Sequence, residues 1–146
     1  MKRLALFMAV LNCLGVSALA CWQTERPRVV LATQSVNLRL TYNDKAQEGR
    51  VFGLHRARTL IPKEKPLEQV YEKEVLKSSV TDSNGLASFG PVVPGTYWIV
   101  GGANEIGITL VPPTSSDEMR VWVNEFADGC ISAELEKRVK PPSATR

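Results

Sequence analysis

The stretch from Ser78 to Gly101 constrains the fold most: two apolar, strand-favouring runs flank Asp82-Ser83-Asn84-Gly85, and a third follows Pro94-Gly95. Asp82 and Asn84 can satisfy local backbone groups with their side chains, and Gly85 can take a positive φ without a Cβ clash. A short hairpin loop is the natural expectation, with the chain turned again at Pro94-Gly95 into Thr96–Val100. The segment therefore predicts a β-meander of three strands, Val75–Thr81, Leu86–Phe89 and Thr96–Val100.

The same alternation recurs along the chain. Val36, Leu38, Leu40 and Tyr42 alternate with Asn37, Arg39 and Thr41, the period of a half-buried strand. A polar turn region, 43–49, separates it from a second strand at about Arg50–Ala57, and Val29-Val30-Leu31 suggests a short edge strand. Further strands are expected at Ile106–Leu110, Met119–Asn124 and Cys130–Lys137, stopped by Pro112-Pro113 and Asp128-Gly129. About seven or eight short strands with little helix imply an all-β chain folded as a β-sandwich. The region Arg58–Glu74 is long and charged for a hairpin, with Pro62 and Pro66 as breakers; a helix from Pro66 through Tyr71 is one reading, and either a binding loop or a solvated insertion fits the rest.

The ends bound the compartment. Met1-Lys2-Arg3, an uncharged apolar run from Leu4 to about Gly15, and Ala18-Leu19-Ala20 read as an export signal with a cleavage site, too short for a membrane span. The expected division is a signal peptide at 1–20, an N-terminal segment at 21–34, the sandwich at 35–138 and a disordered tail at 139–146. Losing the signal removes two basic residues and no acid, which takes the formal charge from +3 to +1. Such a chain has no bulk electrostatic attraction to nucleic acid or to an anionic membrane.

Cys13 leaves with the signal, so Cys21 and Cys130 remain. Two readings stand. In an oxidising compartment the pair forms a disulfide, whose long loop corresponds to about 4–5 kcal/mol of closure entropy. Alternatively, Cys21 is a lipidated first residue, although Ala18 stands where a lipobox usually has Leu.

Thr81-Asp82-x-Asn84-Gly85-x-x-x-Phe89, followed by Val93-Pro94-Gly95-x-Tyr97-x-Ile99, resembles the signature of carboxypeptidase regulatory-like domains. Those are prealbumin-like sandwiches that share the pattern with collagen-adhesin B-type repeats of exported bacterial proteins. The resemblance implies a seven- to eight-stranded Greek-key β-sandwich, prealbumin- or immunoglobulin-like, with Asp82, Asn84, Gly85, Pro94 and Gly95 as its turn motif. It also implies an accessory, adhesive or carbohydrate-binding role. Some B-type repeats form an internal isopeptide bond between a lysine on the first strand and an Asn on the last. Here the first strand has Arg39 and the last has no Asn, so the bond is not carried over. The hydroxyisourate hydrolases of the transthyretin-like fold use several histidines and a C-terminal tetrapeptide, both missing here.

No catalytic constellation can be assembled with economy. His55 is the single histidine. It reads as structural, because zinc would need partners that the cysteines do not offer if they are bonded to each other. Asp82-Ser83-Asn84-Gly85 resembles the start of a calcium loop but lacks the later bidentate acid. No metal, cofactor or enzymatic activity is expected.

In the resembling pattern Tyr97 and Ile99 point inward, which turns Trp98 outward; Trp122 turns outward by the alternation of its own strand. Two outward tryptophans suggest an aromatic platform for sugar rings or a partner's apolar surface. The rival expectation is that one is covered by Trp22 or the 58–74 insertion. Two functions follow. The first is an exported, periplasmic or extracellular binding module for a glycan or an envelope protein, acting through Trp98, Trp122 and the long loop. The second is a structural envelope lipoprotein anchored at Cys21, the one case in which a membrane is a partner.

Overall fold

The computed structural model describes residues 26–58, 70–115 and 117–138. The expected signal (1–20), Cys21 and Trp22, residues 59–69 with most of the expected helix, and the tail (139–146) lie outside the described residues. The described chain is all β, with no helix, and its strands form a two-sheet sandwich.

The strands are β1 (Arg28–Ala32), β2 (Ser35–Tyr42), β3 (Lys45–Ala46), β4 (Val51–Arg56), β5 (Lys77–Val80), β6 (Leu86–Pro91), β7 (Gly95–Gly101), β8 (Asn104–Val111), β9 (Glu118–Glu125) and β10 (Ile131–Arg138). The first sheet runs β1-β8-β7-β4-β5; the second runs β10-β9-β2-β3, with β6 also paired to β2. Both are mixed, since β1 lies parallel to β8 and β2 parallel to β9. The count exceeds the expected one chiefly through β3, a two-residue strand too short to show any alternation. It is joined to β2 by Asn43 and Asp44, whose φ values of 46° and 64° are those a type I′ hairpin turn demands.

Alternation builds the core. Val36, Leu38 and Leu40 of β2 and Met119, Val121 and Val123 of β9 meet Phe52, Leu54, Tyr97, Ile99, Ile106, Ile108 and Leu110 from the first sheet. Val29 and Leu31 bring β1 into the same core. At one end, Asn104 of β8, fully buried, donates through Nδ2 to the Glu125 carboxylate of β9, and Arg50 Nη2 stands 3.5 Å from the same oxygen. This polar clamp ties the two sheets where the apolar layer stops.

The expected three-strand meander is not what forms. β5 pairs with β4 in the first sheet, β6 pairs with β2 in the second, and β7 returns to the first beside β4 and β8. The hairpin's backbone-to-backbone bonds stop at its neck, where Asp82 N–H donates to Leu86 O (2.9 Å), Gly85 N–H to Asp82 O (2.9 Å), and Asp82 Oδ1 accepts from the Asn84 and Leu86 amides (2.8 and 2.9 Å); beyond it β5 reaches β6 through side chains, with Ser88 N–H donating to Ser79 Oγ (3.0 Å). Beyond the neck, Leu40 N–H donates to Gly85 O (2.7 Å) and draws β6 onto β2. Gly85 has φ +74°, and a Cβ there would lie 2.2 Å from Leu40 O, so glycine permits both the turn and the approach. Along β6 Ala87 and Phe89 are buried by alternation, and a bulge opposite Val36 and Asn37 leaves Phe89 as the extra residue of the ladder.

Candidate functional site: the outer face of the second sheet

The two tryptophans sit on opposite outer faces of the sandwich, because Trp98 belongs to β7 of the first sheet and Trp122 to β9 of the second. They cannot form one platform. Trp98 does turn away from the core, yet only 3% of it is exposed, which removes it as a stacking surface. It lies in a cross-strand row, His55–Trp98–Gly107–Arg28. Gly107 leaves the space into which the indole and Arg28 fold: a Cβ there would stand 3.3 Å from Trp98 Cη2 and 3.2 Å from Arg28 Cγ.

The Arg28 and Arg26 guanidinium carbons lie 5.5 and 5.9 Å from the Trp98 ring centroid, cation–π distances. The Tyr71 ring packs beside the indole at 6.3 Å, and the Tyr71 hydroxyl donates to Glu105 Oε1 (3.0 Å), while Glu105 Oε2 pairs with Arg26 Nε. The cover is thus supplied by the segment before β1 and by the far end of the insertion, where Tyr71 bridges to Ala57. His55 belongs to the same layer. It is 8% exposed, its ring is 5.0 Å from that of Tyr71, and its Nδ1 lies 2.9 Å from Glu72 O. A carbonyl can only accept, so Nδ1 carries the proton and the ring acts as a structural donor.

The second sheet presents a different face. β2 and β9 pair in register from Leu38↔Val121, which sets Arg39 beside Trp122 and Thr41 beside Asn124; β10 adds Glu136 opposite Arg120. Glu136 joins two cations, accepting from Arg39 Nη1 (2.8 Å) through Oε1 and from Arg120 Nε (2.5 Å) through Oε2. The Arg39 guanidinium carbon lies 5.1 Å from the Trp122 ring centroid. Trp122 is half-buried and held in place: its Nε1–H donates to Thr41 Oγ1 (2.9 Å), and the Thr41 hydroxyl donates to Asn124 Oδ1 (2.8 Å). Asn124 in turn donates to Asp44 Oδ1 (2.9 Å) and accepts from the Asp44 amide (3.1 Å). This network fixes the positive-φ turn and the indole together.

Over this face lies an open depression of about 510 Å³ lined by Arg39, Thr41, Asp44, Ala46, Asn84, Leu86 and Arg120. A second hollow of about 330 Å³ shares Leu86 and Arg120 with it and reaches Asn37, Ser88, Asp82 and Glu118. The Asp82–Gly85 turn thus forms one rim of the groove, with Asn84 facing it. Pro94 and Gly95 open β7 in the first sheet and line neither hollow. The side chain of Arg120 is only 13% exposed, and among the described residues its guanidinium has one protein partner, Glu136. Arg120 lines both hollows.

Sequence reasoning named Trp122 as an outward ring and Asn84 as part of the turn motif, and gave Arg39, Arg120, Glu136 and Asp44 no place in a site. Each of the first three occupies an outward position of an alternating strand, so the signal was present but dispersed. Cys130 is buried, and its expected partner Cys21 lies outside the described residues. Among those residues no three His, Cys, Asp or Glu side chains gather as metal ligands, and no helix is long and apolar enough to cross a membrane. Comparison with protein-family models, curated proteins and solved structures finds no match to this chain.

Proposed function

We propose that the chain is an exported, non-enzymatic binding module whose recognition surface is the outer face of the second sheet, and that its partner is an envelope glycan. The observation that carries this reading is Arg120: a largely buried arginine side chain, paired with Glu136, that lines an open groove together with Arg39, next to the hydrogen-bonded Trp122 indole. Preformed grooves in which a few polar groups converge are where small ligands and chain segments of glycans are held. Support also comes from the resemblance of residues 81–99 to carboxypeptidase regulatory-like domains, among which carbohydrate-binding modules occur. The export signal supports a place outside the cytoplasm, and a Cys21–Cys130 bridge would anchor the N-terminus beside β10.

Titration of the purified protein with a panel of soluble envelope glycans, followed by isothermal calorimetry, tests the proposal. Saturable binding that is weakened in Arg39→Ala is expected. Lack of saturable binding across the panel would contradict it.

A further inference from the structure

We infer that the groove takes an acidic saccharide, one carrying a carboxylate or phosphate oxyanion that docks on the Arg39–Arg120 pair while its hydroxyls meet Thr41, Asp44 and Asn84. This deepens the reading just proposed and rests on it. The two guanidiniums share Glu136, so those three groups sum to one positive charge, while Glu118 and Asp82 line the adjoining hollow with Arg120. Asp44 stands at the opposite end of the depression with one carboxylate oxygen already accepting from Asn124. The groove thus carries guanidinium donors at the Arg120 end and carboxylate acceptors at Asp44.

Partly desolvated guanidinium donors bond an oxyanion through short, charge-assisted and often bidentate contacts, about twice as strong as those to a neutral hydroxyl. The remaining groups are hydroxyl, amide and carboxylate, which can both donate to and accept from sugar hydroxyls. Among the described residues, Leu86 and Ala46 are the only apolar side chains lining the larger depression, which offers a peptide little apolar surface on which to bury an anchor. The Trp122 ring lines neither hollow; it meets the groove through its neighbours, flanked by Arg39 and hydrogen-bonded to Thr41.

Calorimetry at low ionic strength with tri-galacturonate, a phosphorylated trisaccharide, a neutral trigalactoside and tri-glutamate tests the inference. The uronate or the phosphorylated sugar should bind at least about tenfold more tightly than the neutral sugar, and that preference should shrink with added salt. Arg120→Gln should weaken acidic-sugar binding about ten- to a hundredfold. Asn84→Asp supplies a second variant: Asn84 bonds Asp82 through its backbone amide, which the change keeps, so the added negative charge at the rim should weaken the acidic sugar while leaving the unfolding midpoint unchanged. Equal affinity for neutral and acidic sugars overturns the inference but leaves the recognition surface standing. Tighter binding of tri-glutamate than of any sugar overturns it in favour of an acidic peptide, and failure of every sugar to bind removes both readings.

Discussion

Gly85 shows how one missing Cβ decides a pairing. It must adopt φ +74°, and its α-carbon must pass close beneath Leu40 O for β6 to reach β2. Gly85→Ala should cost about 3 kcal/mol or more, read as a lower midpoint in denaturant unfolding, because the new methyl meets backbone and not a movable side chain. Asn124 acts at the same scale on the other side of the groove. Asn124→Ala leaves the buried Thr41 hydroxyl and the Asp44 amide without their shared acceptor, so a loss of about 1–3 kcal/mol is expected by the same measurement.

Tyr71 adds a pH dependence. Burial, and then the hydrogen bond to Glu105 and its negative charge, hold the phenol above its ordinary value of 10.0. The folded chain therefore keeps a proton that the unfolded chain gives up first. That contribution is fully present below about pH 10 and is lost as pH rises through the folded value. At neutral pH, Tyr71→Phe should be less stable than the parent by about 1 kcal/mol, and the difference should shrink as pH is raised above about 10. A gap that stays constant through that range would show that Tyr71 does not titrate with folding.

At the scale of elements, the positions of the strands were legible and their partners were not. Alternation reveals which residues of β2, β4, β8 and β9 face a core, because burying one face is a local demand on every second residue. It is silent on pairing: the Asp82–Gly85 neck is compatible with a hairpin that continues and with one that splays to two sheets. The choice is made by Leu40, far away in sequence. The groove was hidden for the same reason, since Arg39 and Glu136 come together only through the registers of β2 with β9 and β9 with β10. Trp98 illustrates the converse. Its outward direction follows from alternation, whereas its cover comes from Arg26, Arg28 and Tyr71, which lie in segments without a legible period. Trp98→Ala should thus behave as a structural lesion, with a loss of about 3–5 kcal/mol in unfolding and no change in ligand affinity at the opposite face. A selective loss of binding with unchanged stability would contradict that assignment.

Taken as a whole, the molecule has two outer faces with different chemistry. On the first sheet's, tilted rings and arginines cover Trp98 and tie the leading segment and the end of the insertion to β7, while Val30, Val51 and Val80 stay exposed. The second sheet's is open, polar and stiffened by the Trp122–Thr41–Asn124–Asp44 chain. A rigid sandwich of this kind is suited to recognition by contact, since its side chains are set before a ligand arrives and little ordering cost remains. The most direct test is an amide and indole chemical-shift map of the isotopically labelled protein titrated with tri-galacturonate. The account predicts shifts centred on Arg39, Thr41, Asn84, Leu86, Arg120 and the Trp122 indole, with Trp98 and His55 unmoved. Shifts centred on the Trp98 face, or none at saturating sugar, would contradict it.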